Sequence, residues 1–473
     1  MVEEPVANRL DAVVVGAGPN GLAAAITLAR AGKTVMVLEA APTPGGGLRS
    51  DALTLPGFIH DVCSAIHPLG VGSPFFASLP LQDHGLSWVH PPVPLAHPVD
   101  GGGTLLLHRS VRETAAQFGL RDGRAYRSLM NVNWQRMAPD ILAPPHVFRH
   151  PFAMARFGLN AMRSASGLAR SRFQGESARA LFAGLAAHSM LPLQSPATAS
   201  VGLLLGVLAH AVGWPFPRGG AQNFTNALVS YAEALGVRFV TGARVDDIDR
   251  LPSARAVLFD LTPRQLLRIA GDRLSTRNHR SLSTFRYGPG VFKINYALNS
   301  PIPWTASNVS SAATVHLGAT LEEIEESERS TTPPQRPFVL LAQHTLFDPT
   351  RAPAGQHTAW AYCHVPSNSN EDMTARIESQ IERFAPGFKK TVLARHTMTP
   401  ANLEAYNANY VGGDIGGGSS HWTQLLTRPF LRLDPYFMAD GVFLCSSSTA
   451  PGPGVHGMCG FHAARSALRR LLK

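Results

Sequence analysis

The chain has 473 residues, 45% of them hydrophobic and only 16% charged, against about 25% charged in an average soluble domain. That excludes a charge-rich disordered chain and supplies apolar material for more than one core. Lys plus Arg outnumber Asp plus Glu by 42 to 32, a formal +10; this suits an anionic ligand or lipid, and no basic cluster interleaved with aromatics points to nucleic acid.

Cys63, Cys363, Cys445 and Cys459 stand far apart with no paired spacing. This excludes a disulfide-rich scaffold, a cysteine zinc site and a redox dithiol. The 19 histidines form no HExxH pattern, so no metal is expected. The opening MVEEPVANRL has no apolar segment of secretory type, and the greasiest stretch, 201–216, is broken by Gly202, Gly206, His210, Gly213 and Pro215. The expectation is a cytoplasmic protein without a membrane span.

In chain order, DAVVV at 11–15 reads as a buried strand and GAGPNG as a tight turn. A helix follows to Gly32, then a second strand, TVMVLEA, closing on Glu39 and Ala40. Gly16 turns the chain out of the strand. Gly18, beside Pro19 and Asn20, leaves room for a diphosphate, and Gly21 lets the helix pack close to the sheet. The helix N-terminus offers free N–H groups to the phosphates. Glu39 is spaced to bond ribose hydroxyls and disfavours a 2′-phosphate, so the ligand is FAD or NAD rather than NADP.

A glycine run comes next, GGGLRS at 45–50, followed by LPGFIHD at 55–61. Backbone at Gly46, Gly47 and Leu48, with Arg49 behind it, suits close passage of a ribityl–phosphate arm, for which a purely NAD-binding fold has no need. On these residues the chain resembles the FAD-dependent phytoene desaturase and amine oxidase superfamily, whose members carry a GG-x-x-R-[ST] segment after the acid. The resemblance implies FAD as the cofactor.

From 76 to 204 strand signals are few, and a mostly helical insertion is expected. Arg149, Arg156, Arg163 and Arg170 recur every seventh residue, interleaved with Phe152, Met154, Phe157, Leu159 and Met162. That row is either a basic amphipathic face resting on anionic lipid or the solvated face of an ordinary surface helix. Residues 218–248 read as a glycine turn, a helix and the strand GVRFVTGARV; 254–263 is a further buried strand. In the superfamily the strand around Val245 lies beside the adenine.

From 291 to 365 the period changes to two. Phe292, Ile294, Tyr296 and Leu298 share one face, and Lys293 and Asn295 the other; Trp360, Tyr362 and His364 share a face that is either core or pocket lining. LEEIEESER at 321–329 follows Thr320 with a capping box through Glu323, its acids expected on a solvated face. The loop GGDIGGG at 412–418 follows no strand-to-helix pattern, so no second nucleotide module is expected. The flavin's electrons then leave to oxygen or a quinone rather than to NAD(P).

The C-terminal segment reads as strand GVFLC, turn SSSTAPGPG and helix VHGMCGFHAARSALRRLL. The helix start near Gly454 to Gly457, with Met458 behind it, would aim N–H groups at the flavin pyrimidine edge. Ser446 stands where relatives show a glycine. Together with DPTRAPAGQHTAWAYCHVP at 348–366 and NYVGGDIGGG at 409–418, this segment is similar to the phytoene-dehydrogenase-related branch, that of the pyridine nucleotide-disulphide oxidoreductase domain-containing proteins.

The expected fold is α/β, with a Rossmann-like FAD-binding domain of glutathione-reductase/amine-oxidase type and a discontinuous substrate domain of antiparallel sheet plus helical insertion. The FAD-binding domain is assigned to 1–75, 205–265 and 400–473, the helical insertion to 76–204 and the antiparallel sheet to 266–399. The expected function is dehydrogenation of a hydrophobic, isoprenoid or carotenoid-like substrate by hydride transfer to flavin. The alternatives are a flavin amine oxidase, with Trp360 and Tyr362 as an aromatic cage, and a redox-neutral isomerase. His67, Tyr296 and His456 are the substrate-side candidates, and Cys459 is read as a packing residue.

Overall fold

The structure, a computed structural model, describes residues 10–472; most of the leader expectation at the N-terminus lies outside them. The strands of the two large sheets are, in chain order, β1 (Leu10–Val15), β2 (Val35–Leu38), β3 (Val93–Val99), β4 (Gly103–Leu107), β5 (Arg238–Val240), β6 (Ala254–Phe259) and β7 (Gly290–Leu298). They continue as β8 (Ala312–Leu317), β9 (Val339–Ala342), β10 (His357–Val365), β11 (Val392–Met398), β12 (Phe437–Ala439) and β13 (Val442–Leu444). The helices that matter here are α1 (Pro19–Arg30), α2 (Pro151–Ala161), α3 (Ala165–Arg172), α4 (Glu176–Ala187), α5 (Thr198–Ala211), α6 (Gln222–Ala234), α7 (Leu321–Arg329), α8 (Thr374–Phe384) and α9 (Met458–Arg470).

The first sheet has the order β12-β13-β6-β1-β2-β5, parallel except for β12. Its central strands are buried on both faces, which is why they read as unbroken apolar runs. Helices α1, α6 and α9 cover one face, and the helix Pro263–Ala270 covers the other. Where α9 crosses α1, a Cβ on Gly460 would fall 1.8 Å from the carbonyl oxygen of Asn20, so the two helix starts meet without a side chain between them.

The second sheet runs β11-β7-β10-β9-β8-β3-β4. One face packs on α8 through Phe292, Ile294, Tyr296, Ile377 and Ile381. The other face looks back at the first sheet. Residues 76–204 are largely helical, but they also send β3 and β4 into this sheet, and the β3/β8 pair is parallel. Pro98 and the short apolar run around it concealed the strand signal.

Three local expectations are corrected. The strand expected over 236–245 ends at Val240, because Gly242 and Ala243 turn back to bond Ala41 and Glu39. The seven-residue arginine row does not lie on one helix: the chain breaks at Ser164, which caps α3. Of the acids of α7, Glu322 and Glu326 are exposed, but Glu325 and Glu328 are not. Glu325 is buried under a bidentate Arg170 (2.6 and 2.8 Å), and Glu328 is buried against His364 (2.7 Å).

Candidate active site

The βα turn between β1 and α1 is built as its glycines require. Gly16 has φ +101°, and a Cβ on Gly21 would sit 2.0 Å from the Gly16 carbonyl. A Cβ on Gly18 would meet the Asp260 carboxylate at 2.6 Å. Asp260, at the end of β6, accepts the Gly21 N–H at 2.9 Å. Burial, and to a lesser degree the nearby Glu39, pushes its carboxyl up to about 7.

Glu39 is held at the tip of β2 by three donors. Its Oε2 accepts from Ala17 N–H at 2.8 Å, and its Oε1 accepts from Ala41 N–H at 2.8 Å and from Arg49 Nη2 at 3.0 Å. Arg49 also donates to the Thr43 carbonyl. Gly46, with φ +54°, brings the glycine run against Gly18, to whose Cα a Cβ there would approach within 3.0 Å. Leu48 is buried behind it and Ala40 is exposed.

Gly18, Pro19, Asn20, Gly46 and Gly47 form one end of a cleft of about 390 Å³. The Oδ1 atom of Asn20 is buried there without a partner. The glycine cradle and the free N–H groups at the start of α1 fit a phosphate-bearing ligand, and the orphaned oxygen, an acceptor, calls for a donor such as a hydroxyl on the same ligand.

One flank of the cleft is the glycine loop around Asp414. The Asp414 carboxylate accepts N–H bonds from Gly288 (2.7 Å), Gly416 (2.7 Å) and Gly418 (2.9 Å), and burial raises its pKa. Buried Arg428 fastens this loop to the turn after β13. Its guanidinium donates to the carbonyls of Gly416 (2.8 Å), Gly418 (3.2 Å), Ser419 (3.3 Å) and Ser447 (2.7 Å).

The roof is the second sheet. Cross-strand register aligns Thr314, Ala342, Trp360 and Asn295 in one row, and His316, Leu340, Tyr362 and Lys293 in the next. With a two-residue period, both rows face the cleft. Lys293, 3% exposed, donates to the carbonyls of Asp61 (2.5 Å) and Val62 (2.8 Å) and to Asn295 Oδ1 (3.1 Å). Burial lowers its pKa to about 8. The segment that receives it is anchored by Asp61, whose carboxylate accepts from Arg351 (2.6 Å), Ser50 (2.7 Å) and Ala221 N–H (2.7 Å). The neighbouring Arg351 guanidinium holds that carboxyl well below the usual range against the cost of its burial.

The residues singled out from sequence divide by location. Gly18, Pro19, Asn20, Gly46, Gly47 and His67 line the cleft; Gly16, Gly21, Glu39, Leu48 and Arg49 support its floor. Val245 lies beyond the end of β5 and packs into the core under the sheet. Ser446 is folded into its own turn, accepting from Ser448 N–H at 3.2 Å, while Ser447 reaches the cleft.

Gly457 is packed against Phe76 and Ala23, and the N–H of Met458 is taken by His456 Nδ1 at 3.0 Å. Of the expected helix start, Gly454 and Val455 line the cleft, together with their neighbour Pro453. Because His456 Nδ1 accepts, its Nε2–H donates to the Gly452 carbonyl at 3.2 Å, and the ring is used up inside the turn. Tyr296 is turned away from the cleft, its ring against Phe388. The strand parity was legible, but the face that meets the cleft is the one carrying Lys293. Lys293, Asp260 and Asp414 were not singled out from sequence; the last was signalled only by an acid inside a glycine run. Among the described residues no cluster of His, Cys, Asp and Glu is arranged to hold a metal, and no helix is long and apolar enough to cross a membrane.

A glycine-turned βα unit, a terminal acid and a cleft roofed by a second sheet define a dinucleotide-binding oxidoreductase of Rossmann type. A family profile described as an NAD(P)-binding Rossmann-like domain matches residues 14–77. Within this class the chain is similar over nearly its whole length to phytoene dehydrogenases and their relatives. It is 26% identical to pyridine nucleotide-disulfide oxidoreductase domain-containing protein 2 of Mus musculus, over 98% of this chain and 94% of that protein. It is 27% identical to phytoene dehydrogenase of Streptomyces griseus, over 94% of this chain and 92% of that one. Among solved structures, an oxidoreductase from Methanosarcina mazei shares the fold with TM-score 0.66 and 17% identity, covering 97% of this chain and 100% of that one. Putrescine oxidase bound to putrescine does so with TM-score 0.63 and 17% identity, covering 97% and 98%.

Proposed function

We propose that the chain binds FAD and dehydrogenates a largely apolar substrate. The observation that carries this reading is the continuity of one cleft from the glycine turn at Gly18 to the sheet row of Lys293 and Tyr362. Bound there, the flavin supplies a two-electron acceptor for hydride. The start of α1 would hold the diphosphate, Glu39 the adenosine ribose, and Gly46–Gly47 the arm that leads toward the sheet. Lys293 Nζ is the proton acceptor: desaturation gives up one hydride and one proton, and burial makes the neutral amine accessible near pH 8. Wall residues such as Leu205 and Leu340 exclude water from the reacting carbon.

Dehydrogenation is favoured over amine oxidation by the aromatic pair. Trp360 and Tyr362 stack on each other at 5.4 Å and 26° rather than facing across a gap, and the Lys293 ammonium already lies 5.5 Å over the Trp360 ring. Oxygen or a quinone is the electron acceptor we favour. The Asp414 carboxylate takes the N–H groups that a second nucleotide phosphate would need from the glycine loop. The test is the absorbance spectrum of the purified protein, followed by anaerobic bleaching against a lipid extract. Flavin bands that bleach are expected; a protein that stays colourless after reconstitution would sink the reading.

The surface around α2 is proposed as the face that meets anionic lipid. Val147, Phe152 and Leu159 are 93%, 91% and 76% exposed, and no acidic residue occurs between Asp140 and Glu176, whereas Arg149 and Arg156 do. An exposed apolar stripe flanked by cations fits a bilayer surface, where greasy substrates reside.

A further inference from the structure

The cleft carries polar atoms that nothing in the protein satisfies. Thr314 Oγ1, Trp360 Nε1, Ser189 Oγ and His67 Nδ1 are all buried without a hydrogen-bond partner, in residues 4%, 8%, 2% and 1% exposed. All four residues line the same cleft. Thr314 and Trp360 stand on either side of Ala342 in one cross-strand row, and both line the cleft while Ala342 itself is covered by Ala65. Buried polar groups in folded proteins are nearly always paired, so four unpaired ones along one cleft mark a place where a ligand completes them.

The chemistry of these four groups limits that ligand. An indole N–H only donates, so the ligand must offer an acceptor, and the hydroxyls and the imidazole can supply or take a further hydrogen bond. The charged side chains that line the cleft are already engaged: Asp260 and Asp414 accept backbone N–H groups, and the Lys293 ammonium is held by three oxygens. The two histidines here are neutral: burial lowers His67 to about 4 and His188, whose ring bonds His316 at 3.0 Å, to about 3. Neither a carboxylate nor an ammonium would find its countercharge. A pure hydrocarbon would leave all four groups unmet.

We infer that the substrate is an amphiphile with an uncharged oxygen function, a hydroxyl or a carbonyl, seated between Thr314 and Trp360, with its apolar body along Met190, Leu205 and Leu340. This deepens the flavoenzyme reading and rests on it for the reaction, though not for binding.

The test uses four probes that share one fifteen-carbon isoprenoid body: farnesol, farnesylamine, farnesoic acid and the hydrocarbon farnesene. Each is titrated calorimetrically into the flavin-loaded protein and into protein without added flavin. Farnesol is expected to bind at least about tenfold tighter than the other three. Trp360→Phe and Thr314→Val should each weaken farnesol about tenfold while leaving farnesene unchanged or tighter. Farnesene, the amine or the acid binding as well as the alcohol, equal weakening of alcohol and hydrocarbon by the variants, or no binding of any probe each overturns the inference. Thr314→Val is nearly isosteric, so the result stands even if Trp360→Phe does not fold. A protein that never takes up flavin but still prefers farnesol sinks the proposed chemistry and leaves this inference intact.

Discussion

Lys293 shows how one side chain sets the chemistry open to the cleft. Its ammonium, almost wholly buried, sits among two carbonyls and an amide oxygen, and the lost hydration brings its pKa from 10.5 to about 8. If its neutral amine takes the substrate proton, the rate of anaerobic flavin reduction should rise with pH and level off above about 8. Lys293→Met should lower that rate about a hundredfold and flatten the profile. A variant with an unchanged pH dependence would assign the proton elsewhere. Asp260 offers a second titration. Its carboxyl ionises at about 7 in the native chain and at 3.8 unfolded. Between those values the native state holds a proton that the unfolded chain has released, so stability falls as pH rises through this window. Asp260→Asn should remove that fall, on the order of a few kcal/mol, in denaturant titrations of the flavin-free protein at successive pH values.

At the scale of elements, strand parity and helix exposure separate what is readable from what is not. A period of two on β7 places Lys293 and Tyr296 on opposite faces, and that much is legible in the residues alone. Which face looks into the cleft depends on α8, which covers the Tyr296 side with Ile377 and Ile381 from a segment far along the chain. The arginine spacing at 149–170 invites a single helix; Ser164 caps a new one instead, and Arg170 turns to Glu325. What survives is the exposed face of α2. Phe152→Glu combined with Leu159→Glu should cut sedimentation with anionic vesicles about tenfold. The melting temperature should stay unchanged, since both side chains project into solvent. Wild-type protein that ignores anionic vesicles would return α2 to an ordinary surface helix.

At the scale of the molecule, Asp61 and Arg351 tie the two sheets' neighbourhoods together. Arg351 is 1% exposed and bonds Asp61, Asp348 and the Pro217 carbonyl at 2.6, 3.0 and 2.6 Å, joining three segments remote in sequence. Removing the guanidinium leaves a buried carboxylate unpaired. Arg351→Met should therefore cost about 3–5 kcal/mol in denaturant unfolding. Adding Asp61→Leu should recover part of that loss, and simple additivity of the two would show that the pair is not coupled. The carbonyl of Asp61 also receives Lys293, so Arg351→Met should disturb the pH profile of flavin reduction as well.

The amino-acid sequence by itself determined the parts whose geometry is local. GAGPNG, Glu39 and GGGLRS specify a turn, a helix start and an acid within a few tens of residues, because the absence of a Cβ and the alternation of apolar residues act on the backbone where they stand. Only the tertiary structure decided which distant groups meet there. Asp260 reaches the glycine turn from the end of β6, and Arg428 and Asp414 fix the flank. The Thr314–Trp360 row assembles from strands paired across long loops. Such encounters follow from packing and buried charge pairing, which carry no spacing along the chain.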